Sequence, residues 1–190
     1  MRENIRKDFT SCNALIYDED MELLTSVKIL SYDRNDNSIE VQSAPILDMV
    51  KKCELLILTE PLPYAYKGTI HKPMVNKADT SKMIKLYQEN RRENRSESRY
   101  KINLSTSADH LMYEGEEYRL HTPLDVQLTD ISKSGLRLRA KLNAFAEGNS
   151  FNIQLRIGEN DTKMLVEVVN THDVEPYYSE YGCRFVGKDN

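Results

Sequence analysis

Two stretches of the chain alternate apolar and polar residues without a fault: Leu136-Arg137-Leu138-Arg139-Ala140-Lys141-Leu142 and Phe151-Asn152-Ile153-Gln154-Leu155-Arg156-Ile157. A period of two sends every apolar side chain to one face, so both are half-buried antiparallel strands. The same reading predicts strands at Ile102 to Thr106, Tyr118 to Leu128, Met164 to Val169 and Tyr181 to Val186. Six strands with no helical pattern among them imply a small closed barrel, because closure removes the exposed edges that an open sheet must protect.

The first part of the chain is also strand-like. Ala14 to Tyr17, Leu24 to Tyr32, Ile39 to Gln42, Leu55 to Leu58 and Ala65 to His71 are its candidate strands, with Asn35-Asp36-Asn37 as a hairpin turn between two of them. Pro61 and Pro63 punctuate this domain, and Gly68 marks either a bulge or a close backbone approach. Between about Asn76 and Ser98 the alternation stops. There Asp79 or Thr80 is placed to cap a short helix from Ser81 to about Asn90, with Met83, Ile84 and Tyr87 on one face. The expected fold is therefore all-β: two small antiparallel barrel domains, residues 1–75 and 95–190, joined by a short, partly helical linker at 76–94.

Composition fits that division. In 190 residues, 39% are hydrophobic and 29% charged, which suits two modest cores with large surfaces better than one thick core. The longest apolar run, around Leu55 to Leu58, falls far short of the roughly 20 residues a membrane helix needs, and Met-Arg-Glu-Asn-Ile-Arg-Lys-Asp has no apolar stretch behind it. No membrane span and a cytoplasmic location are expected. A formal charge of −4 argues against bulk nucleic-acid binding, although a basic linker and eleven tyrosines leave an RNA-binding barrel open as a third reading. Cys12, Cys53 and Cys183 are scattered, with no metal-ligand spacing, and read as reduced thiols.

Two features carry candidate chemistry. Arg91, Arg92, Arg95 and Arg99 stand directly before the first strand of the second domain. A guanidinium donates two parallel hydrogen bonds to a phosphate or to O6 and N7 of guanine, and it stacks on purine faces. Taken alone, the run reads as a solvated charge stretch. The second feature is Asp130-Ile131-Ser132-Lys133-Ser134-Gly135, between two predicted strands. A carboxylate and a hydroxyl cap such a turn, with Gly135 allowing a backbone geometry other residues resist. The same groups, turned outward, suit the N1 and N2 edge of a guanine.

Together, Arg95-x-x-x-Arg99 before a barrel and Asp-x-Ser-x-x-Gly beginning 31 residues later resemble the signature of the PilZ family of cyclic di-GMP receptors. The closing segment Tyr181-Gly182-Cys183-Arg184-Phe185-Val186 is similar to that family's last strand, and the resemblance covers about Arg91 to Gly187. Arg91 and Arg95 also stand four apart. Arg95 and Arg99 are preferred because the family's second arginine abuts the first strand. The N-terminal half more loosely resembles the small barrel that precedes PilZ in YcgR-like flagellar regulators.

The resemblance implies a receptor and not an enzyme, with cyclic di-GMP as ligand and neither cofactor nor metal. Arg95 and Arg99 would form the clamp, Asp130, Ser132 and Gly135 the platform, and Arg91 and Arg92 additional contacts. Asn94, just before the clamp, leaves open whether one ligand or a stacked pair is bound. Ligand would order the linker, reset the angle between domains and signal to a protein partner such as a flagellar motor or polysaccharide export component. The competing reading is a PilZ-like interaction module that binds no nucleotide. Catalysis has little support, since no phosphate-binding Gly loop, nucleophile elbow or zinc motif is present, and the His172-Asp173 pair lies at a strand end.

Overall fold

In a computed structural model the described residues are 8–71, 80–87, 98–157 and 160–187. The chain folds into two closed six-stranded antiparallel barrels. The first is built from β1 (Asn13–Tyr17), β2 (Leu23–Asp33), β3 (Ser38–Gln42), β4 (Lys52–Leu58), β5 (Tyr64–His71) and β6 (Ser81–Tyr87), in the order β1-β2-β3-β6-β5-β4. The second is built from β7 (Tyr100–Tyr113), β8 (Glu116–Ile131), β9 (Gly135–Lys141), β10 (Ser150–Ile157), β11 (Asn160–Glu175) and β12 (Tyr178–Phe185), in the order β10-β11-β12-β9-β8-β7. Among the described residues no helix is long and apolar enough to cross a membrane.

The expected linker helix from Ser81 is corrected to a strand. Ser81–Tyr87 is β6, hydrogen-bonded to β3 on one side and β5 on the other, and it closes the first barrel; residues 88–90 lie outside the described part. Lys82, Ile84 and Leu86 point inward together. The lysine hides this period of two, because a charge at a core position reads as a solvent face. Lys82 is tolerated inside because its ammonium meets the Asp48 carboxylate at 2.7 Å, on a 3₁₀ turn at Pro45–Asp48. Gly68 marks close packing and no bulge: a Cβ there would lie 2.6 Å from both Ile84 and Leu55.

The barrels meet along β1 and β4, both buried on two faces. Ala14, Ile16, Cys53, Leu55 and Ile57 fill the first barrel, while Leu15, Tyr17, Leu56 and Leu58 turn outward and join the core of the second. The two expected cores are thus present, and the larger one reaches across the junction. Tyr100, first residue of β7, is the peg of this seam: its ring lies 4.9 Å from that of Tyr17, and its hydroxyl donates to Glu54 Oε2 at 3.3 Å. Lys101 pairs with Glu22, and the Lys163 N–H donates to Glu60 Oε1 at 2.9 Å. From the β9–β10 loop, Phe145 stacks on Phe151 at 4.4 Å and meets Tyr181 edge-on, filling the second core.

Candidate ligand site at the mouth of the second barrel

The entry to β7 and the turn between β8 and β9 come together on one side of the second barrel. Tyr100 pairs with Ile131 and Lys101 with Asp130, so the residue before the strand, Arg99, is carried beside the end of β8. Arg99 Nη1 donates to Asp130 Oδ1 at 2.7 Å. Register shifts flank the carboxylate on both sides, between Lys101 and Leu104 against β7 and between Leu128 and Asp130 against β9. Such bulges locally twist a strand and re-aim its side chains. The Asp130 side chain is only 15% exposed, whereas Arg99 is 56% exposed, so the carboxylate sits in the wall and the guanidinium above it.

Arg137 is the residue that sequence reasoning missed. It lies across β9 from Asp130, with Nε 3.4 Å from Asp130 Oδ2 and Nη1 donating to Glu180 Oε2 at 3.4 Å. Its only sequence signal is its outward place in an alternating strand, two residues beyond Gly135. Asp130 is therefore held between two guanidiniums from neighbouring strands.

Ser132 is buried and works within the turn. Its N–H donates to the Gly135 carbonyl at 2.8 Å, and its hydroxyl donates to the same oxygen at 3.2 Å while accepting from the N–H of Gly135 at 3.3 Å. Gly135 is required for space. A Cβ at this position would lie 2.1 Å from the Cys183 carbonyl oxygen of β12, a backbone atom that cannot swing away. Phe185 N–H to Ser134 O at 2.9 Å fastens the same turn to the last strand. Of the predicted clamp, Arg99 is in place against Asp130; Arg91, Arg92 and Arg95 lie outside the described residues.

Next to this cluster runs an open groove of about 490 Å³, lined by Glu22 and Leu23 of the first barrel and by Lys101, Asn103, Gln127 and Arg139 of the second. Its chemistry is polar and mixed in charge. Gln127 Nε2 donates to Asn103 Oδ1 at 2.7 Å, Arg139 lies 5.1 Å over the Tyr178 ring and pairs with Glu175, and the Glu22 carboxylate holds Lys101 charged by raising its pKa. Among the described residues no group of three metal-ligating side chains is assembled, and Asp173 accepts a hydrogen bond from Ser179 Oγ at 2.7 Å. Burial pushes the thiols of Cys53 and Cys183 up to about 12, so both stay protonated and inert at neutral pH.

The chain is thus a protein of two closed barrels in tandem, with an arginine–carboxylate cluster and a polar groove at their junction. The family follows from the second barrel: a family model described as the PilZ domain matches residues 89–190, and the chain belongs to that family. PilZ domains are receptor modules, in line with the expectation of a non-enzyme. Comparison with curated proteins finds no match. Among solved structures, the chain is similar to the Bacillus subtilis inhibitor of motility MotI/DgrA, at 14% identity over 93% of this chain and 87% of that one, with a TM-score of 0.34. It is also similar to K. pneumonia MrkH in complex with c-di-GMP, at 12% identity over 94% and 80%, with a TM-score of 0.35. Escherichia coli YcgR in complex with c-di-GMP matches at 12% identity over 93% and 76%, with a TM-score of 0.35.

Proposed function

We propose that this protein is a cytoplasmic receptor for cyclic di-GMP. The observation that carries the reading is the 2.7 Å contact between Arg99 and Asp130, which joins the two separately spaced halves of the PilZ motif at one corner of the barrel. In this reading Asp130 accepts from the N1 and N2 edge of a guanine, and Arg99 turns from Asp130 to a phosphate or to the Hoogsteen edge. Arg95 completes the clamp, with Arg91 and Arg92 as further contacts. Ser132 and Gly135 keep the platform in shape. No cofactor is involved.

Signalling is proposed to follow from position. Arg99 is joined directly to Tyr100, the peg of the inter-barrel seam, so a ligand that reorients Arg99 pulls on the junction and orders the arginine segment. A protein partner in motility or exopolysaccharide control reads the change. Hydrogen exchange in residues 88–99 that is unchanged at saturating ligand refutes this coupling.

One observation favours a second reading, a PilZ interaction module without nucleotide: Asp130 already has two guanidinium partners, as a purely structural ion cluster would. Calorimetric titration with cyclic di-GMP, cyclic di-AMP and GTP, repeated on Arg99→Ala, separates the two. Selective binding of cyclic di-GMP, weakened about ten-fold or more by the substitution, is expected. No binding leaves the interaction module, and equal binding of all three leaves an unselective anion site.

A further inference from the structure

The hairpin of β7 and β8 runs on past the point where β9 ends. β9 pairs with β8 only from Gln127 to Ile131, while β7 pairs with β8 again over Glu116–Arg119, beyond a register shift across which Leu120–Pro123 have no β7 partner. Over Glu116–Arg119 the edge of β8 turned away from β7 pairs with no strand among the described residues. The tip is rigidly specified: Glu114 and Gly115 both have positive φ, 52° and 85°, as a tight type I′ turn requires. An open row of backbone N–H and C=O groups is a template for another strand, and proteins usually blunt it. Here the register shift at Leu120–Pro123, where Pro123 also lacks an N–H, ends the regular edge after Arg119.

The side chains on this edge are self-complementary. Glu117, Tyr118 and Arg119 are all exposed, and neither Glu117 nor Arg119 has an ion pair with a described residue. Tyr118 is 48% exposed, its hydroxyl donating to Glu116 Oε2 at 2.7 Å. When an identical strand is laid antiparallel with its two-fold axis through Tyr118, Glu117 falls opposite Arg119 of the second copy and Arg119 opposite its Glu117. Tyr118 then meets its own counterpart. Opposite charges and aromatic pairs directly across an antiparallel ladder are favourable, and like charges there are unfavourable. Shifting the axis by one residue to Arg119 sets two arginines face to face, and shifting it to Leu120 places Arg119 against His121. Of these three registers only the one centred on Tyr118 sets Glu against Arg.

We propose that this chain associates with a second copy of itself through the β8 edge at Glu116–Arg119, by antiparallel strand pairing centred on Tyr118. The inference is independent of the nucleotide reading. A seam this short buries less than the roughly 1,200 Å² typical of stable complexes, so the dimer is a reversible one that forms with concentration.

Sedimentation velocity on the full chain, from micromolar to near-millimolar concentration, tests it. The wild type is expected to pass from monomer to dimer. Glu117→Arg puts Arg opposite Arg, and Arg119→Glu puts Glu opposite Glu, so each alone weakens association about ten-fold or more. An equal mixture of the two variants restores charge pairing across the axis and recovers wild-type association, as does the Glu117→Arg/Arg119→Glu double variant. A wild type that stays monomeric throughout overturns the proposal. So do single variants that associate like the wild type, or a mixture and a double variant that stay as weak as the singles.

Discussion

Asp130→Asn puts the role of the carboxylate to a test in which the sign of the effect decides. The substitution keeps the side chain's shape and removes its charge. The stability cost is small, because both partners reach solvent: Arg99 is 56% and Arg137 42% exposed, and exposed ion pairs contribute about 0–1 kcal/mol each. The cost in binding is large if the carboxylate accepts from guanine. Hydrogen bonds to a charged acceptor contribute about 1.5–3 kcal/mol each, and an amide retains one acceptor while turning a donor toward the N2 amine. A net loss of about 2–3 kcal/mol corresponds to roughly 30- to 150-fold weaker binding. Calorimetry at fixed ionic strength reads the affinity, and a urea melt of the same sample reads the stability. The opposite outcome is built into the geometry, since losing the 2.7 Å contact with Asp130 also frees Arg99 for a phosphate. Tighter binding, or unchanged binding, refutes the assignment of Asp130 as the base acceptor and leaves it as a counter-ion of the clamp.

Three further expectations concern the fold that holds this site. Gly135→Ala forces a Cβ to within 2.1 Å of the Cys183 carbonyl, so β9 and β12 must separate; a loss of about 2–4 kcal/mol in a urea melt is expected, and an unchanged midpoint contradicts it. Tyr17 is fully buried, with a hydroxyl that finds no partner among the described residues, so Tyr17→Phe should raise stability by about 1 kcal/mol, and a clear loss would mean that the hydroxyl is satisfied. The thiols of Cys53 and Cys183 ionise near their ordinary value when unfolded but only at about 12 when folded; stability from this source is whole below about pH 9 and falls by about 1.4 kcal/mol per unit for each thiol as pH rises toward 12. Urea midpoints between those limits should fall less steeply in a Cys53→Ala/Cys183→Ala variant, and equal slopes would contradict the assignment.

What the sequence disclosed follows from which faces are buried. β9 and β10 alternate without a fault because each has one core face and one solvent face, whereas β1 and β4, buried on both faces, show as short unbroken apolar runs. β6 was illegible because Lys82, paired with Asp48, occupies a core position. β7 and β8 are longer than the alternation suggested, since the hairpin beyond Ala108 is largely exposed and polarity there carries little period. At the candidate site, Arg99 and Asp130, which the structure brings into contact, were singled out by the motif's spacing. Arg137 was not, because an outward arginine in a strand looks like any other. Glu22 and Leu23 were beyond reach, as they belong to the other barrel and line the groove only once the barrels dock.

That docking bears directly on the proposed sensing role of the arginine before β7. Tyr100 is fixed on both sides, by the ring of Tyr17 and the carboxylate of Glu54 from the first barrel and by strand pairing with Ile131 from the second. One residue earlier, Arg99 is more than half exposed and held by a single contact with Asp130; one residue later, the Lys101 ammonium reaches Glu22 of the first barrel. In the proposed mode a ligand at Asp130 competes for Arg99, and Arg99 and Lys101 each lie next in sequence to the seam's central peg. The energy needed to swap such exposed pairs is about 1 kcal/mol, well below what a few charge-assisted contacts to a dinucleotide supply. On the proposed reading, binding at this corner supplies enough energy to disturb the inter-barrel contacts.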